Sequence, residues 1–337
     1  MRDAEPTPDY IMETLNAYQR TDALRAAIDL DLFRAIGSGH RSPRTLVEPC
    51  GASERGLRIL CDYLVVQDLL TKEGASYGLT EQASRFLDRS SKDYIGGAVG
   101  FLGSDLLRHG FGKLTAAVRR GGTAHSDAGA LRPEHEAWVD FARTMAPVMR
   151  PTATALAEVT DTRGAAPRKI LDLAAGHGLF GIAMATRYPE AEVFAVDWPN
   201  VLAVAEENAG IAGIAGRYHT LPGDVLRIDV GSGYDVVVLA NLLHHFDAPT
   251  CVELLRKVAL ALNGDGRAIL LEHIPDEDRV SPPRAAGFAL VMLATTPAGD
   301  AYTFAQYREM LREAGIANSR LFDLPGSFHR VVEGTLA

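Results

Sequence analysis

The chain has 337 residues, too many for one compact core, and its 47% hydrophobic and 23% charged residues make an ordinary soluble globular composition. A formal net charge of −9 argues against nonspecific affinity for nucleic acid or anionic membrane. No uncharged apolar run reaches the length a bilayer requires, so no membrane partner is expected.

The first ten residues, MRDAEPTPDY, are acidic and Pro-rich, without the basic-then-apolar pattern of a secretory signal. Cys50, Cys61 and Cys251 are odd in number and lack metal-ligand spacing. They fit reduced thiols in a cytoplasmic protein. Residues 9 to 36 read as helices, with Tyr10, Ile11, Leu15 and Tyr18, then Leu24, Ile28, Leu32 and Phe33, at helical spacing. A short helix from Pro43 stops at Gly51, and Ser53 caps a longer one carrying Leu57, Leu60, Leu64 and Leu69. Lys72 to Thr80 reads as a hairpin turning at Gly74. Helix, helix, wing is a winged helix-turn-helix. Its second helix carries Glu54, Arg55, Arg58, Asp62 and Asp68, without the cationic face that DNA binding needs. Packing or dimerisation is the expected use.

From Lys92 to Thr160 the pattern is helical and bulky, including Phe101, Trp138, Phe141, Met145 and Met149, and suits a roof over a ligand pocket. The polar stretch TDTRGAAPRK, 160 to 169, reads as a linker, after which strands and helices alternate. This divides the chain into 1–100, a winged-helix domain; 101–160, a helical linker and pocket roof; and 161–337, an α/β domain.

In ILDLAAGHGLFG, Gly176, Gly178 and Gly181 satisfy the G-x-G-x-x-G pattern of dinucleotide sites. From Asp172 the same letters are D-x-A-x-G-x-G, one substitution from the D/E-x-G-x-G-x-G loop that binds S-adenosylmethionine. Asp197 ends the next strand about 20 residues on, where a carboxylate can accept from both ribose hydroxyls. Both cofactors remain possible at that point. Asp224 lies in the turn after the third strand, where S-adenosylmethionine sites in this fold commonly use an acid to accept from the adenine amine. The fourth strand, YDVVVLANLLHHFD, runs into Asn241 and paired histidines. CVELLRKVALALNGDGRAILLEHIP is a helix, a Gly turn and a strand ending in an acid. This order favours the methyl donor, which has no pyrophosphate.

Residues 9 to 337 resemble the small-molecule O-methyltransferases of the plant caffeic-acid type and their bacterial natural-product relatives. AVDWPNV, GDVL, LLHHFDAPTCVELLRK, LLEHIPD and MLATTPAGDAYTF carry the resemblance. It implies a Rossmann-like α/β methyltransferase domain behind an N-terminal winged-helix dimerisation domain, with S-adenosyl-L-methionine as cofactor. By position, Asp172, Gly176 and Gly178 would shape the loop around the methionine portion, with Asn241 nearby. Asp197 would hold ribose, with Trp198, Asp224 and Val225 at the adenine. His244 would be the catalytic base and Glu272 the carboxylate that positions it. Phe141, Met145, Met149, His245 and Met292 would line the acceptor site, and no metal is implied. Two departures stand out: Ala301 replaces a second flanking acid, and His245 replaces an aspartate. From the sequence, Glu272→Gln is expected to cost less than loss of His244. The expected function is O-methylation of a phenolic or hydroxy-heteroaromatic metabolite by a cytoplasmic homodimer. C-methylation is the rival within the fold. A ligand-sensing winged-helix regulator and a nicotinamide oxidoreductase are the rivals outside it.

Overall fold

The computed structural model describes residues 7–160 and 166–337. The first six residues of the acidic N-terminal stretch and residues 161–165 of the expected linker lie outside the described residues. The chain forms two compact units, Met1–Val99 and Gly100–Ala337.

In the first unit, α1 (Asp9–Leu15), α2 (Ala17–Asp29) and α3 (Leu32–Gly37) precede α4 (Pro43–Cys50) and α5 (Glu54–Val66). The hairpin β1 (Leu70–Glu73) and β2 (Ser76–Leu79) and then α6 (Glu81–Phe86) complete it. Ser42 closes a capping box on α4, and Gly51 ends that helix in the left-handed region. Ser53 accepts from the Gly56 amide at the start of α5. Leu32, Phe33, Leu46, Leu57, Cys61 and Leu64 form the core. Asp62 on α5 takes Arg58 at 3.0 Å and Lys72 of the wing at 2.5 Å, so these two cations are drawn into local pairs. α1 buries none of its residues, and Tyr10 and Leu15 are 75% and 65% exposed.

The second unit begins with short helices α7 (Val99–Leu102), α8 (Asp105–Gly112) and α9 (Leu114–Arg120) and the long α10 (Glu136–Val159). Then β3 (Lys169–Leu173), α11 (Leu179–Arg187), β4 (Glu192–Asp197), α12 (Pro199–Ile211), β5 (Tyr218–Pro222) and β6 (Tyr234–Ala240) alternate. α13 (Ala248–Ala261), β7 (Leu262–Glu272), α14 (Pro283–Thr295), α15 (Phe304–Glu313), β8 (Asn318–Asp323) and β9 (Arg330–Thr335) follow. The sheet order is β5-β4-β3-β6-β7-β9-β8, with β9 antiparallel to both neighbours. Strand residues alternate between faces. Leu171, Val237, Leu239 and Leu270 face α13 and α15, whereas Ile170, Val236, Val238, Ile269 and Leu271 face α10 to α12. The expected turn at Gly264 is instead absorbed into β7, whose pairing with β6 shifts register between Tyr234 and Val236.

Strand order reverses between β3 and β6. The crevice beyond their carboxyl ends is the ligand position of open α/β sheets. Because β9 runs antiparallel, its first residue, Arg330, pairs with Glu272, the last of β7. The segment entering β9 therefore reaches the same edge as the ends of β3, β6 and β7.

Candidate active site

The loop after β3 turns on three residues with positive φ, Ala174 (53°), Gly176 (56°) and Gly178 (73°). A β-carbon at Gly178 would come within 2.5 Å of the Tyr218 hydroxyl, so glycine is demanded there by space as well as by backbone angle. Ala174 adopts the same left-handed geometry with a side chain, at a steric cost. Asp197, half-buried at the end of β4, accepts from the Gly176 amide at 2.8 Å and from the Trp198 amide at 2.7 Å. Its own carbonyl accepts from Gly223 at 2.9 Å. One residue thus ties together the ends of β3, β4 and β5. Asp172 is buried, with one carboxyl oxygen accepting from Gly181 at 3.0 Å and the other unpartnered. Burial, with the Asp197 charge adding, pushes Asp172 up to about 7, and burial pushes Asp197 up to about 6.

Asp224, half-buried after β5, accepts from the Leu226 amide at 2.9 Å. The sequence reading passed over Lys257 of α13, whose ammonium donates to the carbonyls of Val225 and Ile228 at 2.9 and 3.0 Å and so fixes that turn. Trp198, at the start of α12, packs, like Trp138 and Val139, against the buried cluster of Ala142, Val201 and Val204. Asn241 has φ of 55° just past β6, and its buried side-chain oxygen has no partner among the described residues. Arg143 is committed elsewhere, bound through both terminal nitrogens to Glu207 at 2.8 and 3.0 Å.

S-adenosylmethionine fits these residues. It offers donors (a ribose diol, an adenine amine and an ammonium) and carries positive charge. The carboxyl-end edge of the sheet offers the carboxyl groups of Asp172, Asp197 and Asp224 and the side-chain oxygen of Asn241. Crowded, partly desolvated acids favour a cationic ligand and oppose a pyrophosphate.

On the other side of the reversal point, Glu272 is fully buried at the end of β7. One of its carboxyl oxygens accepts from the amides of Leu242 and Leu243 at 3.0 and 2.8 Å, and the other meets His244 Nδ1 at 2.5 Å. The pairing of Glu272 is with a histidine rather than with a lysine or arginine. With Glu272 ionised, Nδ1–H donates to it and Nε2 carries the lone pair. Burial raises Glu272 to about 7 and lowers His244 to about 3.

A band of aromatic rings connects the two halves. His177 of the glycine loop stacks on Phe141, which meets Trp138 edge-on. Trp138 meets His245 at 5.2 Å, and His245 lies 4.3 Å from His244. Beyond His244 stands Phe288 of α14, at 4.7 Å. Sequence reasoning named Phe141 and His245 but did not assign Trp138 or Phe288 to the site. Met145, Met149 and Met292 are buried on α10 and α14, in positions that suit a pocket wall and ordinary core equally. Ala301 is fully buried, next to Tyr302, whose hydroxyl donates to the Phe246 carbonyl at 2.7 Å. Gly299 presses on the histidine pair from behind, where a β-carbon would collide with the His244 carbonyl.

A doubly wound sheet with a glycine loop, acid-tipped strands and a buried His–Glu pair defines a methyl-transferring α/β enzyme. The O-methyltransferase domain family matches residues 118–317, and the O-methyltransferase dimerisation domain matches 12–89. The chain belongs to the O-methyltransferase family, and its methyl donor is S-adenosyl-L-methionine. It is similar to 3-hydroxy-5-methyl-1-naphthoate 3-O-methyltransferase of Streptomyces sahachiroi, 29% identical over 98% of this chain and 96% of the relative. A crystal structure from Nostoc punctiforme, provisionally classed as an O-methyltransferase, shares 50% identity over 98% of this chain and 99% of that one, with a TM-score of 0.94. Human N-acetylserotonin methyltransferase in complex with SAM shares the fold, at a TM-score of 0.86 and 21% identity over the whole of both chains. Family membership displaces the regulator and oxidoreductase readings. Among the described residues no helix is long and apolar enough to cross a membrane.

Proposed function

We propose that the protein methylates a hydroxyl group of a small aromatic molecule of secondary metabolism, with His244 as general base and Glu272 as its positioning partner. The observation that carries this reading is the buried Glu272–His244 pair at 2.5 Å beside a band of aromatic rings. The relatives' substrates, a naphthoate among them, point the same way.

Bound S-adenosylmethionine supplies an electrophilic methyl carbon on a sulfonium. Asp197 would hold the ribose, Asp224 and Val225 would receive the adenine beside Trp198, and Asp172, Gly176, Gly178 and Asn241 would enclose the methionine end. Phe141 and His245, with Trp138 and Phe288, hold a flat acceptor by ring contacts. Met145, Met149 and Met292 complete the wall. His244 Nε2 takes the acceptor's hydroxyl proton, and Glu272, against Nδ1–H, offsets the charge that forms on the ring. Alignment of oxygen and methyl group supplies much of the remaining rate enhancement.

A homodimer formed through the first unit is part of the proposal, supported by the dimerisation-domain match and the exposed apolar side chains of α1. A cytoplasmic location is supported by three free, buried cysteines. Incubation with labelled S-adenosylmethionine and a panel of naphthols and phenols, with product analysis by NMR, tests the reading. An O-methyl ether is expected; a new carbon–methyl bond, or no transfer to any hydroxy-aromatic, overturns it.

A further inference from the structure

Two histidines outside the assigned machinery stand at the same sheet edge as His244. His273 follows Glu272 at the end of β7, and His329 immediately precedes β9. Antiparallel pairing of β9 on β7 brings them together, with ring centroids 4.5 Å apart. His273 lies 6.2 Å from His244 and stacks on Phe288 at 3.8 Å, so Phe288 touches both rings.

The hydrogen bonds around His329 fix its tautomer. Ser327 Oγ accepts from Thr152 Oγ1 at 3.3 Å and from the His329 amide at 3.1 Å. With both lone pairs used, its own proton goes to His329 Nδ1, 3.2 Å away. The ring proton of His329 is therefore on Nε2. His329 is 1% exposed, and among the described residues that Nε2–H has no partner; nor has Nδ1 of His273. Leaving a buried N–H without an acceptor is unfavourable, so a position of this kind is one where an acceptor atom binds well. Burial also holds both rings well below the ordinary histidine range, so they are neutral. Arg330, the nearest cation in sequence, is spent on Asp276 and Asp323 at 2.6 and 2.8 Å. Arg284 is exposed and lies over the Phe328 ring at 5.4 Å, and neutral ring donors suit an uncharged oxygen better than a carboxylate.

We propose that His329, supported by His273, forms a specificity subsite that receives a carbonyl oxygen carried on the same aromatic nucleus as the hydroxyl to be methylated. The subsite rests on the acceptor reading above and narrows it to hydroxyaryl ketones, quinones and related carbonyl compounds.

The test uses shape-matched probes that differ in one oxygen: 3-hydroxyacetophenone against 3-ethylphenol, and 6-acetyl-2-naphthol against 6-ethyl-2-naphthol. 3-Hydroxybenzoate serves as the charged arm. Wild-type enzyme is expected to favour each ketone by about tenfold in kcat/KM, mainly through KM. The benzoate should fall below the ketone. His329→Phe should erase the preference, whereas His329→Gln, which keeps an N–H donor, should retain part of it. S-adenosylhomocysteine affinity and melting temperature confirm that each variant is folded, and the wild-type preference needs no variant at all. Equal turnover of ketone and ethyl probe, or a preference that survives His329→Phe in a folded variant, overturns the subsite and leaves O-methylation standing. A preference for the benzoate overturns the assignment to a neutral carbonyl. Failure of every probe to accept a methyl group counts against the acceptor reading, and the subsite falls with it.

Discussion

The two sides of the crevice are built from different materials. Beyond β3, β4 and β5 the site is largely backbone: amides of Gly176, Trp198 and Leu226 are held by side-chain carboxylates, and Lys257 fastens two carbonyls. Beyond β6, β7 and β9 it is side chain, with rings packed on rings and ring nitrogens of His245, His273 and His329 left unpartnered. A backbone-built side presents the same polar groups whatever the neighbouring side chains are, which suits a fixed cofactor. A ring-built side changes shape with each substitution, which suits a variable acceptor.

Substitutions in the His–Glu pair should therefore spare cofactor binding while removing chemistry. His244→Ala is expected to lose about 10² to 10⁴ in single-turnover rate with an un-ionised acceptor. Glu272→Gln should lose as much, which revises the smaller effect expected from sequence. The carboxamide oxygen would keep the Leu242 and Leu243 amides, and its NH2 would then donate to Nδ1, moving the ring proton to Nε2 and abolishing the base. S-adenosylhomocysteine affinity, measured by calorimetry, should be unchanged in both. A Glu272→Gln variant with near-normal rate would show that the ring does not work through this tautomer.

The reverse pattern is expected from Asp197→Ala. S-adenosylmethionine should bind more weakly by about 2 kcal/mol, with a smaller change in rate at saturation. Equal losses in affinity and saturated rate would erase the contrast between the two sides.

Acidity should distinguish them further. Burial raises the Glu272 carboxyl to about 7. As pH falls through that value Glu272 takes a proton, donates it to Nδ1, and leaves Nε2 protonated. Transfer to a neutral phenol should then fall about tenfold per pH unit below 7. For a nitrophenol already ionised at the working pH the same limb should be shallow, because no proton needs removing. A limb of equal depth for both acceptors would place the titrating group outside the proton-transfer step.

The smallest effect is expected at Ala174. Replacement by glycine relieves a side chain held at φ of 53° but loosens the unfolded chain, for a net gain of about 0.5 kcal/mol. Thermal melts would register a small rise, and a fall would mean that the methyl group packs usefully against its neighbours.

The cofactor side was the more legible in sequence because its signals are local. A strand, a glycine loop and an acid one strand later lie within a short window, and the spacing alone brings Asp197 back to Gly176. His244 and Glu272 were named through the family resemblance, and the structure pairs them, His244 in the turn four residues past β6 and Glu272 at the end of β7. His329 was not, because its place depends on β9 entering the sheet antiparallel, beside a strand some 60 residues earlier, which no periodicity announces. Trp138 was read only as one bulky helix residue among several, and its contact with His245 exists only once α10 is packed. Lys257 carries no sequence signal of its own, since only the folded turn shows that it fastens two carbonyls.

For directed evolution, Gly299 and His329 call for opposite treatment although both adjoin the histidine cluster. Every side chain at 299 would push the backbone that carries His244, so a saturation library there should return glycine and little else. His329 is fastened to Ser327 through its own amide and Nδ1, while Nε2 meets no partner among the described residues. A small library at 329, screened against paired ketone and alkyl acceptors, is where substrate range can be redrawn without rebuilding the enzyme.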